Sequence, residues 1–173
     1  CVLSHTNVAR DEIARRLAGS PEGAQLLSYP HFVGTIHAFV NQFFAMPMLR
    51  SLGQKVDVID DVVFADKAKS LLQLGMFSGL RVYLENQNNG DGIATSLFYR
   101  TADLQVQVES GTLPGSHTAS YKSLMTLKKM LTKDGIFRHR DMFAYADRAL
   151  KTCPNLVDVV HRRFPMVFID EMQ

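Results

Sequence analysis

Thiols are scarce in this sequence. Its two cysteines, Cys1 and Cys153, stand at opposite ends with no metal-ligand spacing, so the expectation is a terminal thiol and a buried one, with neither a disulfide nor a zinc site. Long hydrophobic runs are missing as well: no stretch approaches the roughly twenty apolar residues of a membrane span, and no charged-then-apolar leader precedes a cleavage site. A soluble, cytoplasmic protein with no membrane partner is expected. Charge of one sign is not in excess either. Against 19 Lys and Arg stand 17 Asp and Glu, a net charge of +2, and bulk charge therefore nominates no partner. The Asn, Gly and Asp residues of 86–92 form a turn or loop that lacks the alternating acids and closing Glu of an EF-hand, and they carry no chemistry. No internal repeat or low-complexity segment is present.

What is present is apolar material for a core. Hydrophobic residues make up 46% of 173, which suits one domain, or one domain carrying an insertion. The chain opens at Cys1 without methionine, inside what reads as a strand, and closes on an acidic box; a piece of a longer protein is expected. Basic residues cluster late in the chain, where Lys122, Lys128, Lys129, Lys133, Arg138, Arg140, Arg148 and Lys151 outnumber Asp134, Asp141 and Asp147. Such a face either attracts phosphates or is simply a solvated helix surface.

The most chemical stretch is the last. Residues 166–169 are continuously apolar, the pattern of a parallel strand covered on both faces. The run stops at Asp170 and Glu171, two carboxylates at the carboxyl end of a strand, where open α/β sheets hold their ligand crevice. Neighbours on a strand diverge, so one acid can hold a metal while the other handles a proton. The bland alternative is an acidic turn after a core strand.

At the other end, residues 1–6 read as a strand and those from Asn7 onward as an amphipathic helix with Val8, Ile13 and Leu17 on one face. Asn7 is the expected N-cap, with Asp11 and Glu12 favouring the positive end of the helix dipole. His5 is either an ordinary polar residue at a strand end or a group that stacks on a base or meets a phosphate. A second strand-to-helix junction lies at Gly34-Thr35-Ile36-His37-Ala38-Phe39, with Phe39, Val40, Phe43 and Phe44 as the apolar helix face and an end at 45–48. Thr35 can cap that helix or bind a phosphate. His37 is bonded either to backbone or to a nucleic acid, and Phe39 belongs to the core.

A boundary is expected near residue 46. Beyond it, 60–74 read as a helix with Val63, Ala68, Leu71 and Leu72 inward. Residues 97–100 and 104–108 read as a small hairpin in which Leu104, Val106 and Val108 alternate with Gln105, Gln107 and Glu109. Residues 120–132 read as a basic helix burying Leu124, Leu127 and Leu131 and stopping at Gly135. Within 134–150 a further helix places Phe143, Ala146 and Leu150 on one face, and a short helix ending at Arg163 leads back to the acidic strand.

Three of these stretches resemble the UvrD/Rep helicases of superfamily 1. Asp170-Glu171-Met172-Gln173 looks like their D-E-x-Q box, a Walker B element. The run from His5 to Glu12 resembles motif Ia, F-T-N-x-A-A-x-E, with His5 in place of Phe and Arg10 in place of a small residue. Gly34, Thr35, His37 and Phe39 match motif Ib, G-T-x-H-x-F. The resemblance implies an α/β fold: an incomplete RecA-like (P-loop NTPase) parallel sheet from residues 1–45 and 155–173, interrupted by a mainly α-helical insertion, 46–154, that contains the small β-hairpin. It implies ATP-driven translocation along single-stranded DNA in the 3′ to 5′ direction with duplex separation as the result, single-stranded DNA and DNA junctions as partners, and ATP and Mg2+ as cofactors. Asp170 is then the residue that coordinates magnesium through water, Glu171 the general base and Gln173 the γ-phosphate sensor, while His5, Thr6, Asn7, Thr35 and His37 lie against DNA. Tyr29-Pro30 ahead of motif Ib looks closest to UvrD-like ATPases found beside bacterial nucleases, which adds a nuclease as an implied partner. No G-x-x-x-x-G-K-[ST] phosphate loop and no second RecA-like half occur in these residues, so this stretch alone is expected to have negligible ATPase and to expose sheet edges that invite self-association. Two other classes stay open. One is a non-catalytic DNA-binding or protein-docking module built on the basic insertion. The other is a metal nuclease centred on Asp170 and Glu171, although such sites commonly place Lys where Gln173 stands.

Overall fold

The computed structural model describes residues 1–170, so Glu171 and Gln173 lie outside the described residues. The chain is mixed α/β. Strand β1 (Val2–Ser4) runs almost directly into α1 (Asn7–Leu17). After α2 (Pro21–Leu26), β2 (Val33–Thr35) runs without a break into α3 (Ile36–Val40). Asn7 is not the cap of α1. That role falls to Thr6, which keeps an extended backbone and whose Oγ1 accepts the Ala9 N–H at 3.1 Å. The expected inward face of α1 is only partly formed: Ile13 and Leu17 are half-buried, Val8 is 80% exposed, and no residue of the helix is fully buried. Asp11 and Glu12 sit past its first turn, and Glu12 instead bonds Arg15 at 2.8 Å and Arg16 at 2.7 Å.

The second helix does not end at 45–48. A π-helical turn at Asn41–Ala45 carries α3 into α4 (Met46–Ser51), straight through Pro47. Proline lacks an N–H and clashes with the carbonyl four residues back in a regular helix. Here the Met46 N–H already reaches back five residues to the Asn41 carbonyl, so the ladder is offset just where the ring enters.

The middle of the chain begins with β3 (Val58–Ile59) and α5 (Asp61–Leu72), the latter capped by Asp60, whose Oδ1 accepts the Val62 and Val63 N–H groups at 2.8 and 2.9 Å. Next come α6 (Ser78–Glu85) and α7 (Gly90–Thr95), the latter starting inside the expected loop, at Gly90, where a Cβ would run into the Leu84 carbonyl. The hairpin of β4 (Leu97–Tyr99) and β5 (Val106–Val108) follows, then α8 (Ala119–Lys133), which buries Leu124, Leu127 and Leu131 as expected. Gly135, at φ +81°, turns the chain into β6 (Ile136–Phe137), α9 (His139–Thr152), α10 (Leu156–Arg163) and β7 (Phe168–Ile169).

Three small sheets result. β1 is the middle of a parallel sheet ordered β2-β1-β7, pairing Leu3 with both Gly34 and Ile169. β3 and β6 pair in parallel, and β4 with β5 antiparallel. The core lies in the middle of the chain. Phe64, Ala68 and Leu72 of α5 meet Leu80 and Leu84 of α6 and the leucine stripe of α8, while Leu49, Phe137, Met142, Tyr145 and Ala149 form an adjoining cluster.

Several inward assignments change. Val63 faces solvent, and Phe64 takes its place in the core. Phe143 is 38% exposed, the inward face of α9 being built from Met142, Tyr145, Ala146 and Ala149 instead. Cys153 is exposed. Lys128, expected on a basic outer face, is fully buried: its ammonium donates to Asp141 Oδ2 at 2.6 Å and lies 4.4 Å from the Phe64 ring centre. β7 is not covered on both faces. It is an edge strand paired only with β1 among the described residues, and Met166, Val167, Phe168 and Ile169 are all exposed.

Candidate nucleic-acid interface

The parallel sheet puts two strand ends side by side. Ser4 pairs with Thr35 in register, so the junctions into α1 and α3 emerge next to one another on the carboxyl edge. Each junction is set by a threonine. Thr6 Oγ1 accepts the Ala9 N–H, Thr35 Oγ1 accepts the Ala38 N–H, both at 3.1 Å, and Ser4 Oγ steadies the first turn by donating to the Thr6 carbonyl at 3.0 Å. At the start of α1 the remaining first-turn amides have no intrahelical acceptor and carry the positive end of the helix dipole. His5, Thr6 and Asn7 are exposed there, while Thr35 is buried beneath them.

All five nominated side chains, His5, Thr6, Asn7, Thr35 and His37, line one groove of about 610 Å3. Its opposite wall was not nominated as part of a site: Asp61, His139 and Arg140, from the starts of α5 and α9; Asn41, one turn beyond His37 on the same continuous helix, also lines the groove. Asn41 Oδ1 is buried without a hydrogen-bond partner among the described residues. The wall is rigidly placed because Arg138, just ahead of α9, is a buried anchor. Its guanidinium donates to the Ser96 carbonyl at 2.9 Å, to Glu109 Oε2 at 2.6 Å and to Asp61 at 3.3 Å. Asp61 in turn accepts the His139 N–H at 3.1 Å. The only sequence signal for this wall was the Arg138-His139-Arg140 run inside the basic region, which says nothing about which of the three points outward.

His37 makes edge-on ring contacts with Phe143 at 5.0 Å and His139 at 5.9 Å between centroids. Partial burial, and then the neighbouring His139 and His5, hold its pKa below the ordinary imidazole value, with Asp61 opposing. A neutral ring poised there takes up a proton more readily when an anion enters the groove.

Asp170 closes the carboxyl end of β7, its N–H donating to the Leu3 carbonyl at 2.9 Å. It opens on a separate depression of about 470 Å3 on the other flank of α1, with Glu12 and Arg16. Thr6 borders both depressions. The acid and the groove thus share one helix start. Among the described residues no group of three His, Cys, Asp or Glu side chains is arranged to hold a metal. A single exposed carboxylate supplies one ligand to hydrated magnesium, whose other ligands are commonly waters and the phosphates of a substrate. It does not cradle a nucleoside triphosphate, for which a phosphate loop is needed and none occurs in the sequence.

No family model matches the chain, and no curated protein and no solved structure matches it significantly.

Proposed function

We propose that this chain carries the DNA-contacting face of a UvrD/Rep-type, ATP-driven single-stranded DNA translocase, with residues 1–45 and 155–173 as parts of its first RecA-like domain and 46–154 as the inserted subdomain. The observation that supports this most is the convergence of five side chains, chosen from two separate sequence stretches, on one groove at the carboxyl edge of a parallel sheet. A backbone phosphate sits at the start of α1, where free amides and the dipole favour an anion. His5 and His37 offer ring faces to bases, and Arg140 adds a fixed positive charge on the opposite wall. Asp170 is the residue that holds hydrated magnesium, which when bound supplies positive charge to a nucleotide's phosphates. Lacking a phosphate loop, this stretch by itself hydrolyses ATP negligibly. Appreciable turnover by the purified chain, abolished by Glu171→Gln, would contradict that.

The test is fluorescence anisotropy with fluorescein-labelled oligothymidylate. His5→Ala is expected to weaken binding by about 1–3 kcal/mol, the worth of a base stacked on a ring, with Asn7→Ala also weakening it. A Lys122→Ala/Lys129→Ala double variant on the outer face of α8 should leave binding in place. The reverse pattern, loss through the lysines and indifference to His5 and Asn7, favours a non-catalytic DNA-binding or docking module instead.

A further inference from the structure

The groove continues past His37 and Arg140. Both residues also border a second depression, of about 640 Å3, whose floor is the outer face of the β4–β5 hairpin. Strand alternation builds that floor. Leu97 and Tyr99 belong to the two core clusters, so Phe98 and Arg100 turn the other way, and Gln107 stands opposite Phe98 in the register. The Arg140 guanidinium lies 4.7 Å above the Phe98 ring centre and 3.3 Å from Glu109 Oε1, which fixes it over the floor. The second oxygen of Glu109 is taken by Arg138 at 2.6 Å, and Arg138 also pairs with Asp61, so two carboxylates match these two cations. Arg100, without an ion pair among the described residues, leaves the depression net positive. Among the described residues the Arg100 guanidinium reaches only the Gln107 side chain, at 3.3 Å, and is exposed. On the far wall the Phe143 ring stands 38% exposed against His37.

We propose that this depression is a second subsite for single-stranded DNA, holding the nucleotide that follows those in the first groove. The proposal rests on the reading of that groove as a DNA path. The phosphate lies between Arg100 and Arg140, the base stacks on Phe143, and Gln107 meets the base edge. Two guanidinium groups and one ring, with a single amide at the base edge, make a contact largely tolerant of sequence. The arrangement also accounts for a ring left in water on a helix that buries Met142 and Tyr145 on either side of it.

The experiment compares Arg100→Ala, Phe143→Ala and His5→Ala with the unaltered chain, using fluorescein-labelled oligothymidylates of two lengths, one that fills the first groove only and one that spans both. On the longer strand Arg100→Ala and Phe143→Ala should each bind about tenfold more weakly, and Arg100→Ala should flatten the slope of log affinity against log salt by about 0.7. On the shorter strand neither should change, whereas His5→Ala should weaken both. Unaltered binding of the longer strand by both variants, with His5→Ala still impaired, overturns the second subsite and leaves the first. Equal losses on both lengths overturn the division into two subsites. Failure of every strand to bind, or indifference to His5→Ala, overturns the DNA path itself. Thermal unfolding checks that the variants fold; if Phe143→Ala does not, Arg100→Ala alone decides.

Discussion

The sheet of β1, β2 and β7 and the helical body from α5 to α9 solve different problems. The body holds a buried ion pair and both core clusters, the second completed by Ala45, Met48 and Leu49 from the π-helical turn and α4. The sheet side buries Leu3, Ser4, Thr35, Phe164 and little else, with α1 lying on it without a single buried residue. Much of the packing there comes from rings: Phe32, Phe39, Phe43 and Phe164 meet at centroid distances of 4.8–5.7 Å. The nominated binding groups belong to this thinly packed side, and the opposite wall of their groove is lent by the densely packed one through Arg138 and α9. His5, Thr6 and Asn7 stay exposed at a capped helix start, Thr35 is buried and His37 half-buried, while the facing wall is held from the body side.

The largest effect expected is on the body. Asp141 accepts the Lys128 ammonium at 2.6 Å and the Tyr99 and Arg138 N–H groups at 2.7 and 2.8 Å. Asp141→Asn strands a buried cation and should cost about 3–5 kcal/mol in urea unfolding; a loss below about 1 kcal/mol would break the contrast between the two regions. The same pair has a pH signature. Burial, with Asp141 opposing, pulls Lys128 down to about 8, below its ordinary 10.5. Between those values the unfolded chain binds the additional proton, so this lysine makes stability rise with pH from 8 to about 10. Above 10, Tyr99 and Tyr145 act in the opposite sense, because burial raises both and the unfolded chain releases their protons first. In Asp141→Asn the rise attributable to Lys128 should begin at lower pH, which urea midpoints measured across pH would register.

The sheet edge comes next. β7 presents Phe168 at 60% exposure beside Met166, Val167 and Ile169, the kind of unpaired apolar edge that recruits another strand. Concentration-dependent self-association is expected in sedimentation velocity. Phe168→Lys should weaken it by about 1.5–3 kcal/mol, the worth of burying that ring. Identical profiles for both proteins would show that the edge is not the contact.

Smaller still is the cap. Thr6→Ala removes the acceptor of the Ala9 N–H and should lower stability by about 1 kcal/mol, with a disproportionate loss of DNA binding because it loosens the start of α1. A large stability loss with intact binding would place Thr6 in the structural body rather than the groove.

Legibility followed the size of the pattern. The leucine stripe of α8 and the alternating hairpin were readable because several side chains repeat the period of their element. The two threonines at strand-to-helix junctions could be nominated, although Thr6 rather than Asn7 is the cap of α1, because side-chain length and backbone conformation decide which neighbour reaches the amide. The parallel pairing of β3 with β6 could not be read, since two residues carry no periodicity and the partners lie far apart in sequence. Lys128 looked like solvated charge because its partner Asp141 sits on another helix. Phe143 and the groove wall of His139 and Arg140 depend on the rotation of α9 about its axis, which is set by the Arg138 anchor and not by apolar spacing.

On the proposed reading, DNA is met by the thin side of the molecule and not by the basic helix. Backbone amide chemical shifts followed during titration with oligothymidylate test it most directly. Perturbations are expected to concentrate at His5, Asn7, Val8, His37 and Ala38 and at Arg140 on the opposing wall. Perturbations confined to the outer face of α8, around Lys122 and Lys129, would contradict it.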